Sequence, residues 1–313
     1  MKATETEKRN AHSRGLDQRS TMAILRILNR EDASVAFAVR RELPKIARAV
    51  DAMVTAFEHG GNIFYVGAGT SGRIAVLDAA ECPPTFGISP RRVRAVIAGG
   101  ARALQHAAED AEDSAPAGAS DLRRAGASSQ DVVVGISASG ATPYVLGAID
   151  FARKLGTVTI GVTSNPRSPL TRRVEISIAP NTGPEVLSGS TRLKAGTAQK
   201  MVLNLLSTTA MARLGRVYDN WMVYVALTNQ KLRRRSQHIL EDAAGVTPRA
   251  AAHALRQSGD SLPAALVMLK KDVDAREAKR RLVASEGNVR RAIAPKGLPT
   301  SPGRGARGNQ NDG

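Results

Sequence analysis

Cysteine is almost absent. Cys82 stands alone among 313 residues, which excludes an intramolecular disulfide and any cluster of thiolates around a metal. The five histidines, His12, His59, His106, His238 and His253, show no metal-binding spacing either. Aromatic residues make up only 3% of the chain. A core must therefore rest on Ala, Val, Leu and Ile, and a module that stacks nucleic-acid bases on rings is disfavoured. Acids are scarce against bases: 28 Asp and Glu face 45 Lys and Arg, a formal net charge of +17. Such a surplus either serves an anionic partner (nucleic acid, a membrane surface or a phosphorylated substrate) or covers solvated faces. Much of it falls late, as in Lys231-Leu232-Arg233-Arg234-Arg235 and Lys279-Arg280-Arg281, and exceeds what a small phosphorylated substrate requires. Long apolar runs are missing too. No uninterrupted stretch approaches the ~18 residues of a membrane helix, and the opening MKATETEKRN has no apolar signal core. The expectation is a soluble, cytoplasmic protein.

What is present suffices for a sizeable core, since 42% of residues are hydrophobic. The length suits a large α/β domain with a smaller unit, or two medium domains. Residues 1–19 are polar and charged and read as an arm. Ser20 or Thr21 offers a cap for a helix through Asn29. A second helical pattern runs from Ala33 to His59, with Val35, Val39, Leu43, Ile46, Val50 and Val54 at three- and four-residue steps. Pro44 bends or splits it. Strands are predicted over 62–66, 93–98, 131–136, 157–162 and 174–179, with helices over 71–80, 101–113, 117–126 and 142–154. Strands separated by helices imply crossovers and a mainly parallel sheet. Helical stretches follow over 191–215 and 219–242, then short runs over 247–257, 261–270, 274–284 and 286–293. The organisation expected is an arm over 1–19, a main α/β domain over 20–244, a small helical bundle over 245–294 and a disordered Gly- and Pro-rich tail over 295–313.

Two loops carry the functional signal. In FYVGAGTSGR, Gly67, Gly69 and Gly72 spell G-x-G-x-x-G between a strand and a helix. A dinucleotide site also wants an acid some twenty residues on to hold the ribose. Residues 91–98 offer Arg and apolar side chains instead. Thr70 and Ser71 put hydroxyls beside backbone N–H groups at a helix start, which suits an oxyanion. A tight turn with a hydroxyl cap is the plainer alternative. The second loop, Ser137-Ala138-Ser139-Gly140-Ala141-Thr142-Pro143, follows the strand DVVVGI and offers three hydroxyls in six residues. Ligands of open parallel sheets bind at that carboxyl edge. Two such loops favour a sugar phosphate over a dinucleotide.

The pair GAGTSGR and SASGATPYV resembles the sugar isomerase (SIS) domain, a flavodoxin-like α/β fold that binds phosphosugars. LDAAECPPTFG, IAGG, AEDAEDSA, GPEVLSGSTRLKAGTAQK and LTNQKLR narrow the resemblance to the N-acetylmuramic acid 6-phosphate etherase family, over residues 4–293. The resemblance implies a mainly parallel sheet flanked by helices, with a small C-terminal helical bundle. It also implies a homodimer that uses no metal or redox cofactor and acts on a small phosphorylated amino sugar. The reaction implied cleaves a D-lactyl ether by elimination and then hydration, a salvage step for cell-wall sugar. The family's acid matches Glu81 and its base Glu112. Read without the family, Glu81 is a helix-end carboxylate before two prolines and Glu112 one of four exposed acids. Ser137, Ser139, Gly140 and Thr142 match the phosphate cradle, and Thr70, Ser71 and Gly72 the sugar side. Ser190 and Lys194 match the pocket's completion, although Lys194 also reads as a solvated helix lysine, and Cys82 reads as a packed side chain.

Three positions depart from the family: Ala141 where it usually has Arg, Tyr224 where it has an acid, and Ala101 where an acid often follows IAGG. A non-catalytic sugar-phosphate-binding regulator of the same superfamily is the alternative function. A sugar-phosphate isomerase and a nucleic-acid binder through the basic C-terminal region stand behind it.

Overall fold

The computed structural model describes residues 5–106, 109–227 and 229–295. The chain divides into two compact units, one through Arg213 and the other from Leu214.

The first unit is built on a parallel sheet in the order β2-β1-β3-β4-β5. The strands are β1 (Ile63–Gly67), β2 (Val93–Ile97), β3 (Val132–Ile136), β4 (Val158–Val162) and β5 (Ile176–Ile178). All five lie where the apolar runs predict them. β1 and β3 are buried along their whole length, as a sheet covered on both faces requires. On one face Phe64, Val66 and Val133 pack with Leu122 of α4 (Ala115–Arg124) and with Tyr144, Val145 and Ile149 of α5 (Pro143–Leu155). On the other face lie α3 (Gly69–Phe86), against β1 and β2, and α2 (Leu43–Glu58), against β3 and β5, with α6 (Lys194–Arg213) packed on α3 and α2 and α1 (Thr21–Arg40) against α6. This strand order puts the topological switch between β1 and β3, where α/β sheets open a crevice for ligands.

Local chemistry corrects several boundaries. Ser20 caps α1 by accepting from the Ala23 N–H, and α1 runs on to Arg40 without the predicted gap after Asn29. The break comes at Arg41 and Glu42, with Pro44 in the first turn of α2, where a missing N–H costs nothing. The predicted helix over 101–113 is absent. Short 3-10 turns over Gly100–Leu104 and Glu109–Glu112 replace it. Gly99 and Gly100 both hold positive φ, and the Arg73 guanidinium takes the carbonyls of Ala103, Leu104 and His106, which a continuing helix would need. Residues 107 and 108 of that prediction lie outside the described residues.

The N-terminal arm is not free. It forms 3-10 turns over Glu5–Glu7, Ala11–Ser13 and Leu16–Gln18, and both Thr6 and Asn10 are buried. Its grip is polar: the Gly189 N–H donates to the Thr6 carbonyl, and Asn10 Nδ2 to the Pro184 carbonyl.

In the second unit, α7 (Gln230–Ala244), α8 (Pro248–Gln257), α9 (Leu262–Lys271), α10 (Ala275–Ala284) and α11 (Val289–Ile293) enclose Ile239, Leu240, Leu255, Leu266, Val267 and Val289. The helix predicted over 219–242 begins only at Gln230, where Asn229 accepts from the Leu232 N–H. Before it, Tyr218 and Trp221 form an isolated bridge, and Asp219 turns the chain at positive φ. Thr228 and the predicted tail beyond Pro295 lie outside the described residues. No described helix is long and apolar enough to cross a membrane.

Candidate active site

Gly67 ends β1, Ile136 ends β3, and the two are register partners. The glycine loop and the serine loop therefore leave the sheet side by side on its carboxyl edge. The glycine loop closes at once into α3. A Cβ on Gly67 would stand 2.8 Å from the Gly72 nitrogen, and one on Gly72 2.9 Å from the Gly67 carbonyl oxygen. The bare backbones allow strand and helix to approach this closely. The first turn of α3 then presents free N–H groups at the positive end of its dipole. Ser71 is buried and Thr70 half-buried, and neither hydroxyl bonds to another described residue.

The serine loop is wired internally. Ser137 Oγ accepts from the Gly140 N–H at 3.0 Å and pairs with Thr142 Oγ1 at 2.8 Å. Ser139 Oγ accepts from the Ala141 N–H at 3.2 Å. Gly140 is at φ +66, where a side chain would collide with Ser168. Its carbonyl accepts from the Leu170 N–H at 2.9 Å, and Thr163 Oγ1 donates to the Ala138 carbonyl at 3.1 Å. The segment after β4 thus braces the loop from behind.

The head of α6 adjoins the glycine loop. A Cβ on Gly196 would lie 3.6 Å from Thr70 Cγ2 and from Ile74 Cδ1. Ser190 is half-buried two residues before Arg192, and Lys194 opens the helix. Lys194 is only 2% exposed, so the solvated-lysine reading falls; its Nζ lies 2.8 Å from Glu31 Oε2. Glu185, fully buried, caps the helix by accepting from the N–H groups of Lys194 and Ala195, each at 2.9 Å. Burial raises the Glu185 pKa against the pull of those bonds.

The two candidate acids stand apart from these hydroxyls in the chain. Glu81 lies on α3, which continues through Pro83 and Pro84 to Phe86, so it is not a helix-end residue. Ala79 and Cys82 turn inward while Glu81 is exposed. The inward acid is Asp78, which accepts from Tyr65 Oη and from Ser207 Oγ, each at 3.0 Å. Burial pushes its pKa up to about 6, although both hydrogen bonds favour the charged form. Burial and the Asp78 charge push the Cys82 thiol up to about 12, the mark of a packed thiol. Glu112 closes its 3-10 turn, exposed, two residues before Ser114 caps α4.

An N-acetylmuramic acid 6-phosphate etherase of Aliivibrio fischeri (strain MJ11) is 47% identical over 94% of this chain and 98% of its own length. One from Escherichia coli O127:H6 is 48% identical over 92% and 97%. Another, "N-acetylmuramic acid 6-phosphate etherase 1" of Bacillus licheniformis, is 47% identical over 92% and 95%. The chain belongs to the N-acetylmuramic acid 6-phosphate etherase family. The model of the glucokinase regulatory protein N-terminal SIS domain matches residues 45–153, which hold both loops and both candidate acids of this etherase-family chain.

The three positions read as departures, Ala141, Ala101 and Tyr224, are spread out. Ala141 sits exposed on the serine loop, and Ala101 exposed in the turn after β2. Tyr224 belongs to the second unit. Its hydroxyl donates to the Gly287 carbonyl, and the Arg216 guanidinium lies 5.0 Å from its ring centre. Sequence reasoning overlooked Glu185, Glu31, Asn10 and Arg73. Glu185 in GPEVLSGSTRLK had a usable signal, an acid shortly before a helix start. The others bond across 19 to 174 positions, beyond any local pattern.

Proposed function

We propose that this chain cleaves the D-lactyl ether at C3 of N-acetylmuramic acid 6-phosphate, giving N-acetylglucosamine 6-phosphate and D-lactate. Near-half identity to the etherases over almost the whole of both chains carries the reading, with Glu81 and Glu112 both kept. In the proposed route the Glu112 carboxylate takes the C2 proton. The C3–O bond breaks, its electrons go to the lactate oxygen, and Glu81 supplies the proton that completes the lactate hydroxyl. The open-chain unsaturated aldehyde then takes up one water, with hydroxyl at C3 and proton at C2. No oxidation state changes overall.

The phosphate is assigned to the Ser137, Ser139 and Thr142 hydroxyls and the N-terminus of α5, where dipole and N–H groups favour an anion. Thr70, Ser71 and Gly72 are assigned to the sugar, with Ser190 from the approach to α6. Lys194, engaged by Glu31, is assigned to the wall and not to the phosphate. The working form is read as a cytoplasmic homodimer, checked by light scattering against the 33.0 kDa single-chain mass.

The test is D-lactate release from N-acetylmuramic acid 6-phosphate by the purified chain. Glu81→Gln or Glu112→Gln should each lower kcat by about 10²–10⁴-fold, the usual worth of a positioned acid or base. Unchanged release in both variants would overturn their roles. The match to a regulatory protein's SIS domain and the missing positive charge at Ala141 favour one other reading, a phosphosugar-binding regulator. It predicts binding of the sugar phosphate without lactate release.

A further inference from the structure

Glu31 has no part in the chemistry just described, yet it is a crowded carboxylate. Its Oε2 lies 2.8 Å from Lys194 Nζ and accepts from Asn10 Nδ2, also at 2.8 Å. Its Oε1 lies 2.7 Å from His12 Nδ1. Asn10 Nδ2 also donates to the Pro184 carbonyl at 3.1 Å, and Asn10 Oδ1 accepts from the His12 N–H at 2.9 Å. One side chain of α1 thereby joins the arm, the loop beginning at Pro184 and the first residue of α6. Burial alone would raise the Glu31 pKa, but the bonds from Lys194, His12 and Asn10 hold it at about 2.

We infer that Glu31 is a positioning residue: by clamping Lys194 and the N-terminal arm together, it fixes the head of α6 and the loop that carries Ser190 and Thr191. The mechanical path is short. The Gly196 N–H donates to the Thr191 carbonyl at 2.9 Å, and the Leu193 N–H to the Ser190 carbonyl at 3.2 Å. Gly196 in turn abuts Thr70. A shift of Lys194 therefore moves hydroxyls of both the α6 approach and the glycine loop. Lys194 is too buried to find water in place of Glu31. The arm has two further holds on the same loop, where Ser188 Oγ donates to the Glu7 carbonyl at 3.2 Å and the Gly189 N–H to the Thr6 carbonyl at 3.3 Å, but neither contact reaches α6.

The inference rests on the etherase reading only for its kinetic readout. The full chain is compared with Glu31→Gln and with Glu31→Gln/Lys194→Met by amide hydrogen exchange, thermal unfolding and D-lactate release. Glu31→Gln should speed exchange in residues 5–18 and 184–193 by roughly tenfold or more while the β1 and β3 amides keep their protection. KM for N-acetylmuramic acid 6-phosphate should rise by about tenfold, with kcat changing less. Adding Lys194→Met removes the stranded charge, so Tm should recover while fast exchange of the arm persists. A Glu31→Gln chain with lowered Tm but parental exchange at 5–18 and 184–193, or with parental KM, would reduce Glu31 to a stabilising ion pair and overturn the inference. If the parent chain releases no D-lactate, the functional reading falls, and exchange alone still decides the clamp.

Discussion

The glycine loop and the serine loop leave neighbouring strands and reach a helix by opposite means. The first does it by omission: Gly67 and Gly72 let backbones touch, and the Thr70 and Ser71 hydroxyls bond to no other described residue. The second does it by construction: Ser137, Ser139 and Thr142 bond to one another or to loop N–H groups, with Thr163 and Leu170 behind them. A loop wired before its ligand arrives pays little ordering entropy on binding, which suits a phosphate cradle. A loop with spare hydroxyls suits a partner whose own hydroxyls vary in position.

The largest break in that comparison is Gly140→Ala. The position is at φ +66, and the new methyl would collide with Ser168, itself fully buried. Left-handed strain and overpacking together should cost about 2–5 kcal/mol, read as a lowered urea midpoint. A shift no larger than that of an exposed surface substitution would mean the loop is softer than its hydrogen bonds suggest.

The helices behind the loops differ as well. α5 turns Tyr144, Val145, Ala148, Ile149 and Ala152 inward, whereas α3 buries the carboxyl of Asp78. The folded pKa of Asp78, about 6, is raised above the ordinary 3.8. The protonated form is thus the one the fold prefers. Its stabilising contribution is complete below 3.8 and is lost as pH rises through about 6. Glu31 runs the other way. Its contribution is present above 4.5 and is lost as pH falls through about 2, so a titration held above pH 5 separates the two. Between pH 7.5 and 5 the parent should gain on Asp78→Asn by about 1.4 kcal/mol. Parallel curves for parent and variant would show that Asp78 does not titrate in that window.

Ser137→Ala should be of similar size. It removes the acceptor of the Gly140 N–H and the partner of Thr142 at a site 3% exposed. The expected loss is about 1–3 kcal/mol in stability, with a raised KM for the phosphorylated substrate. A raised KM at parental stability would shift the loop's role from scaffold to ligand contact alone.

Legibility in the sequence followed the same divide between local and distant causes. The strands were readable because IFYVG and VVVGI are apolar runs and VTIGV is broken only by Thr159, as a doubly covered sheet demands. The loops were readable because glycines and hydroxyls fell at strand ends. Residues 101–106 read as helix because ARALQH has helical composition, while the carbonyls of Ala103, Leu104 and His106 are taken by Arg73, about thirty positions away. The docking of the arm was not legible, because the partners of Asn10, Glu31 and Pro184, are remote in the chain. The outward turn of Glu81 depends on how α3 seats Asp78 and Cys82 against its neighbours, a register that the prolines after it do not reveal.

The smallest effect is the sharpest test of the contrast between the loops. Thr70 and Thr142 are both half-buried hydroxyls near the start of a helix, one in each loop. Valine keeps the shape of threonine and removes only the hydroxyl. At Thr142 that hydroxyl holds Ser137 Oγ at 2.8 Å, so Thr142→Val should cost about 1 kcal/mol in unfolding free energy. At Thr70 no described protein group loses a partner, so Thr70→Val should stay within about 0.5 kcal/mol of the parent. KM should rise in both, because both hydroxyls are assigned to the ligand. Equal stability losses would mean that the glycine loop is also wired in solution. A stable Thr70→Val chain with unchanged KM would remove Thr70 from the sugar side and leave that contact to Ser71 and the backbone of Gly72.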